Sequence, residues 1–174
     1  MEYIFETERL RTRKFVPEDA FVLYKNHLGE NIRKWIPNES YADIAEAKSA
    51  VNFYIDCVDN NRLPCVLAVE LKDTGDMIGD VGINEVDGRS GEIEIGYVIG
   101  EAHCGQGYAT ELVKAMTEYI FSAFDAAAVY GRVLCGNQAS VRVLEKSGYV
   151  FVEKEYGAED DPYGNGMLVY KKTG

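Results

Sequence analysis

Two glycines, Gly105 and Gly107, stand just ahead of a helical pattern in the stretch "HCGQGYATELVKAM". A strand, a tight glycine-containing turn and a helix place several backbone N–H groups in one concave site, and the helix N-terminus adds partial positive charge. Glycine at these two positions removes side chains that would block a ligand, so pyrophosphate is the natural guest. What is missing narrows the carrier. A P-loop needs Gly-Lys-Ser/Thr before its helix, and the chain reads Gly107-Tyr108-Ala109. A dinucleotide fingerprint needs a third glycine where Thr110 stands, and an acidic residue near the end of the next strand, where "VLCGN" has none. A dinucleotide oxidoreductase is disfavoured on both counts.

Other reactive side chains are sparse. Cys57, Cys65, Cys104 and Cys135 form no C-x-x-C pair, and the only histidines are His27 and His103. The sequence therefore shows no local metal site, and none is expected. Cys104 sits at a helix N-terminus, where a thiol's pKa tends to fall, which suggests oxidation sensitivity. Both histidines read as exposed, His27 near the end of the first helix. The formal net charge of −11 argues against direct nucleic-acid binding and is compatible with a cationic small molecule or a basic protein as partner. No apolar run approaches the roughly 20 residues of a membrane span, and the charged start is unlike a signal peptide, so a cytoplasmic setting is expected.

The elements that must hold the glycine turn follow from periodicity. "RLRTRKF" alternates as a first strand, and "VPEDAFVLYKNHLG" reads as a helix with Pro17 in its first turn and Gly29 as its stop. "RKWIPNES" reads as a turn broken by Pro37. Residues 40–60 read as a second helical region, with Ser40 and Asp43 at capping-box spacing. "CVLAVEL", "MIGDVGINEV" and "EIEIGYVIG" are sequential strands, the last two joined by "DGRSG", and should pair antiparallel. After the glycines, Ala109, Leu112, Val113, Met116, Ile120 and Phe124 form one face of a long helix. "AAVYGRVLCG" is a strand and "NQASVRVLEKSG" a short helix with Asn137 as N-cap. "YVFVEKEY" and "GMLVYKK" are the last strands, around the acidic loop "GAEDDPYGN", whose residues 159–161 read as solvated. The order gives a mixed α/β (α+β) fold in one domain over residues 1–174.

In combination, "EIGYVIGEAHCGQGYATE", "NQASVRVLEKSGY", "TERLRTRKF", "RKWIP" and "MIGDVGI" resemble the GNAT acetyltransferase superfamily, and most of all its RimJ/RimL branch. The resemblance covers nearly the whole chain in order. It implies a twisted, mostly antiparallel sheet of about six to seven strands flanked by helices and splayed at the fourth strand. It also implies an acetyl-CoA-dependent N-acetyltransferase acting on a primary amine, either a protein N-terminus such as that of a ribosomal protein or a small amine. The alternative is a non-catalytic CoA-binding module. Acetyl-CoA is then the cosubstrate, and a homodimer is one open form of assembly. Position by position, Val98 and Ile99 match the strand that pairs with the pantetheine arm. Cys104, Gly105, Gln106, Gly107, Tyr108, Ala109 and Thr110 match the pyrophosphate cradle. Asn137 matches an asparagine that contacts the pantetheine region, and Ser140 a serine that protonates the departing thiolate. Two positions depart from the family pattern. Cys104 replaces the Gln or Arg that opens the family's loop, and Leu144 stands where many relatives carry a general-acid tyrosine.

Transfer from a thioester to an amine needs a base, a polarised carbonyl and a proton for the thiolate. Glu94, just before the expected splay, is the first candidate for the base and Glu92, on the same side of the strand, the second. A strand amide near Val98 would polarise the carbonyl. Trp35 reads as packing. The amine itself is not written in any motif.

Overall fold

The computed structural model describes residues 1–86 and 88–174. The chain runs β1 (Tyr3–Glu6), β2 (Leu10–Arg13), α1 (Ala20–Asn26), α2 (Glu30–Trp35), α3 (Ile44–Asp59), β3 (Cys65–Leu71), β4 (Met77–Glu85) and β5 (Glu92–Ile99). It continues through α4 (Tyr108–Ala123), β6 (Ala128–Leu134), α5 (Gln138–Lys146), β7 (Val150–Glu155) and β8 (Met167–Thr173). Short 3-10 turns occupy Pro17–Asp19, Pro37–Glu39 and Glu101–His103.

The strands form one sheet of eight in the order β1-β2-β3-β4-β5-β6-β8-β7. Only β5 and β6 are parallel; every other neighbouring pair is antiparallel. The mixed sheet is as expected, with one strand more than the sequence suggested. That strand is β1, whose four residues are too few to show an alternation and which exists by pairing with β2, Tyr3 opposite Arg13. The β4–β5 hairpin closes through bonds from Val86 to Glu92 and from Arg89 to Val86. Asp87, in the expected turn "DGRSG", lies outside the described residues.

The two faces of the sheet carry separate cores. On one face Ile93, Ile95 and Ile99 pack against Leu112, Val113, Met116 and Ile120 of α4 and against Leu144 of α5. Those four α4 side chains are fully buried, each contributing about 1.5–3 kcal/mol of transfer free energy. On the other face Leu23 of α1 and Val51 of α3 cover Val66 and Ala68. Helix boundaries moved in two places. Residues 30–35 form α2 rather than a turn, Gly29 being its N-cap instead of the stop of α1. The cap of α3 is Asp43, whose side chain accepts from the Glu46 amide while Glu46 reaches back to the Ala42 N–H. The cap is therefore Asp43, three residues after Ser40, and Glu46 bonds the residue before the cap rather than closing a capping box on it.

The decisive irregularity lies between β5 and β6. Their parallel pairing runs from Glu92 opposite Ala128 to Ile95 opposite Gly131 and then stops. Beyond it β5 stays paired with β4 as far as Ile99, and β6 with β8 as far as Leu134. The two strands thus diverge, leaving the facing backbone edges of both without a strand partner. Gly131 marks the fork: a Cβ there would lie 2.7 Å from a Leu144 methyl, so α5 seats on β6 only because the side chain is absent.

Candidate active site

The fork opens a cavity of about 340 Å³. Glu94 and Gly96 line it from one face of β5, Ile95 and Tyr97 from the other. Glu94 and Ile95 are the last residues of β5 paired with β6, and Gly96 and Tyr97 lie just past the point where that strand leaves. Arg132 of β6, Asn137 and Ser140 at the start of α5, residues 35–39 and Asp160 also line it. The cavity therefore joins the α4/α5 side of the sheet to the α1/α2 side.

Glu94 is half-buried, and burial pushes its carboxyl above the usual range; the Arg132 guanidinium, 3.5 Å away, pulls it back only in part, while Asp160 and Glu155 add to the rise. Arg132 also binds Asp160 at 2.8 Å and Glu155 at 2.9 Å. A carboxylate raised toward neutrality and facing a cavity is suited to taking a proton from an amine. The second candidate, Glu92, does not line this cavity. It accepts from the Tyr130 hydroxyl at 3.1 Å and pairs with Arg89 at 3.4 Å.

At the head of α5 the Asn137 side chain accepts from the Ser140 amide at 3.3 Å, the N-cap expected of it, which leaves its NH₂ free to donate. The Ser140 hydroxyl is bonded to the Tyr97 hydroxyl at 2.8 Å. Burial pushes the Tyr97 phenol up to about 12, so it is neutral and either hydroxyl of the pair can donate to the other. Leu144, buried against Gly131, offers no hydroxyl. Sequence reasoning missed Tyr97 and Arg132. The signal for Tyr97 was a phenol on the apolar side of β5 among Ile93 and Ile95, where its hydroxyl needs a partner. Arg132 had no local signal; its role depends on the β5–β6 register.

The glycine turn behaves as a backbone site. Gly107 is the N-cap of α4 with φ of 81°, and Gly105 has φ of 77°, left-handed values that favour glycine. None of the N–H groups of residues 105–110 donates to a protein acceptor among the described residues. Residues 104–107 are exposed, and Tyr108, Ala109 and Thr110 half-buried. Arg9 braces the turn, donating to the Gln106 carbonyl at 3.0 Å and to Glu111 at 2.7 Å. Val98 and Ile99 are buried on the forked stretch of β5, beside the unpaired edge.

Several expectations are corrected here. His27 is not exposed but fully buried, bonded to Asp80 and to the Glu39 carbonyl. His103 is half-buried. The Cys104 thiol is shifted up rather than down, by partial burial and by Glu101. Residues 159–161 are not a plain solvated run: Asp160 pairs with Arg132, and buried Asp161 accepts from the Tyr163, Gly164 and Gly166 amides. Trp35 packs near Gly136 but also lines the cavity.

A family model described as an acetyltransferase (GNAT) domain matches residues 9–150. The chain belongs to the GNAT acetyltransferase family. It is an N-acetyltransferase, and its fold is RimL-like. It is 28% identical to p20, an uncharacterised N-acetyltransferase of Bacillus licheniformis, over 97% of this chain and 92% of p20. A GNAT-family acetyltransferase from Bacillus anthracis superposes with a TM-score of 0.84 at 20% identity, covering 99% of this chain and 98% of the other. RimL, a ribosomal L7/L12 alpha-N-protein acetyltransferase solved with coenzyme A, superposes with a TM-score of 0.83 at 17% identity, covering 99% and 98%. Among the described residues, no helix of this GNAT protein is long and apolar enough to cross a membrane.

Proposed function

We propose that the chain, as one acetyltransferase domain over residues 1–174, transfers an acetyl group from acetyl-CoA directly to a primary amine. The observation that carries this reading is the cavity at the β5–β6 fork, with Glu94 facing it from β5 and Ser140 from α5. Acetyl-CoA supplies the thioester-activated acetyl group. The N–H groups of residues 105–110, which donate to no protein acceptor among the described residues and lie at the positive end of α4, fit its pyrophosphate. The Cys104 amide at the head of the turn is already bonded to Glu101, so the cradle is formed mainly by the residues after it. The unpaired edge of β5 at Val98 and Ile99 accepts the pantetheine arm as an added strand, and the Asn137 NH₂ steadies it.

Glu94 takes the amine's proton at a carboxylate oxygen, directly or through water. A β5 amide near Val98 polarises the carbonyl as nitrogen attacks its carbon. The carbon–sulfur bond breaks with its electron pair on sulfur, and Ser140, oriented by Tyr97, gives that sulfur a proton. Solvent resets both groups.

The RimL neighbour is a ribosomal alpha-N-protein acetyltransferase, which supports a protein N-terminus as acceptor beside small amines. The described cysteines are all free, in keeping with a reducing, cytoplasmic setting. The test is an acceptor screen with acetyl-CoA over N-terminal peptides of ribosomal proteins, polyamines, amino acids and aminoglycosides, read by thiol release. Release with one of these classes supports direct transfer to an amine. Tight CoA binding with no release to any amine would convert the reading to a CoA-binding module.

A further inference from the structure

His27 closes α1 beneath the cavity wall and takes no part in the chemistry above. Its ring is 1% exposed. Nε2 lies 2.7 Å from a carboxylate oxygen of Asp80 on β4, and Nδ1 lies 2.5 Å from the carbonyl oxygen of Glu39. A carbonyl oxygen can only accept, so Nδ1 must carry a proton. A carboxylate also only accepts, so Nε2 must carry one too. A neutral imidazole has a single N–H, and either tautomer would set a bare ring nitrogen against an oxygen lone pair in a buried site. The His27–Asp80 pair therefore holds one proton more than a neutral ring beside a carboxylate. Imidazole is ordinarily more basic than a carboxylate by about 2.6 pH units, so that proton belongs to the ring.

The surroundings agree. Buried Asp80, 7% exposed, has no other ionic partner among the described residues. The titratable groups that face the ring are Asp80 from β4, Glu39 from the 3-10 turn, and Tyr41, whose ring packs at 5.1 Å. Behind Tyr41 stands Tyr54 of α3, the two hydroxyls 3.3 Å apart. Burial opposes a charge on His27, but Asp80 and the Glu39 carbonyl outweigh it and raise the ring above its ordinary value.

The Glu39 carbonyl belongs to the turn Pro37–Glu39, which with Trp35 and Ile36 lines the cavity on the side away from α4 and α5. We propose that His27, as an imidazolium, is a positioning residue that fastens this wall to the sheet at Asp80 and so sets the shape of the amine side of the cavity. The link to the amine rests on the acetyl-transfer reading; the protonation state and the fastening do not, so the two can fail separately.

With only two histidines in the chain, ring-nitrogen NMR on the wild type, assigned with His103→Gln, reads the state directly. Both His27 nitrogens are expected to carry protons at pH 7.5, and in Asp80→Asn the ring is expected to be neutral at that pH. A neutral His27 tautomer in the wild type overturns the proposal. In His27→Gln, hydrogen exchange at the Glu39 and Ser40 amides, bonded to Ile36 and Pro37, should quicken about tenfold while residues 105–110 and calorimetric CoA affinity stay unchanged. The KM for whichever amine the acceptor screen identifies should rise about tenfold, with that for acetyl-CoA unmoved. Unaltered exchange at Glu39 and Ser40, or loss of CoA affinity in step with the amine KM, overturns the fastening.

Discussion

In the proposed mechanism, the thioester side and the amine side of the cavity are made of different materials. The first is mainly backbone: free amides at one turn, a helix end and a strand edge, all within residues 96–110, with only the Asn137 and Ser140 side chains added. The second is side chains drawn from distant segments: Glu94 on β5, Arg132 on β6, Asp160 in the loop before β8, and the wall fixed through His27. A backbone site recognises what every acetyl-CoA molecule carries. A side-chain site can be altered residue by residue, which is where acceptor choice should reside.

Glu94→Gln should separate the two sides most sharply. Turnover is expected to fall by about 100-fold or more with CoA affinity intact. The sign with pH follows from the raised carboxyl: the base is present above its pKa and lost as pH falls through it. The acid limb of the wild-type rate profile should therefore lie above the ordinary carboxylate value, and Glu94→Gln should lack it. Full activity across pH in the variant would remove Glu94 from the mechanism.

The reverse separation comes from Gly107→Val. Forcing a β-branched side chain into the left-handed N-cap, with Arg9 Nη2 3.4 Å from the new Cβ, costs about 1–2 kcal/mol and shifts the amides out of line. Calorimetric CoA affinity should weaken about 10- to 30-fold, and an unchanged Kd would disprove the cradle. Ser140→Ala should slow turnover about tenfold, less than the loss of the base because a thiolate is a good leaving group. Tyr97→Phe combined with it should add nothing, since Tyr97 acts through Ser140. A fully additive double variant would give Tyr97 a separate role.

The smallest effect tests the coupling inside the amine side. Arg132→Met removes the cation that pulls the Glu94 carboxyl down and leaves Asp160 and Glu155 pushing it up. The acid limb of the rate profile should move to higher pH. A limb that stays in place would mean that Glu94 and Arg132 are not electrostatically linked.

The same contrast explains what could be read beforehand. The glycine turn, the Asn137 cap and the long apolar face of α4 are local patterns, and each stands where the sequence put it. Strand β1 was invisible because pairing, not alternation, makes it a strand. Asp43 took the cap from Ser40, its side chain accepting from the Glu46 amide while the Glu46 carboxylate takes the Ala42 N–H. His27 was misread because its surroundings come from β4 and from the turn after α2, segments far away in sequence. Arg132 escaped for the same reason.

The unpaired edges and amides at the fork also bear on how long the molecule lasts. Each strand is held along its other edge, so acetyl-CoA bound as proposed would add the missing partner on the open edge and act as a folding partner as well as a reagent. At a ligand concentration 100 times its Kd, such a partner raises the free energy of unfolding by about 2.7 kcal/mol. Resistance to heat and to proteases would then follow the cell's supply of acetyl-CoA, and starvation for it would shorten the protein's lifetime.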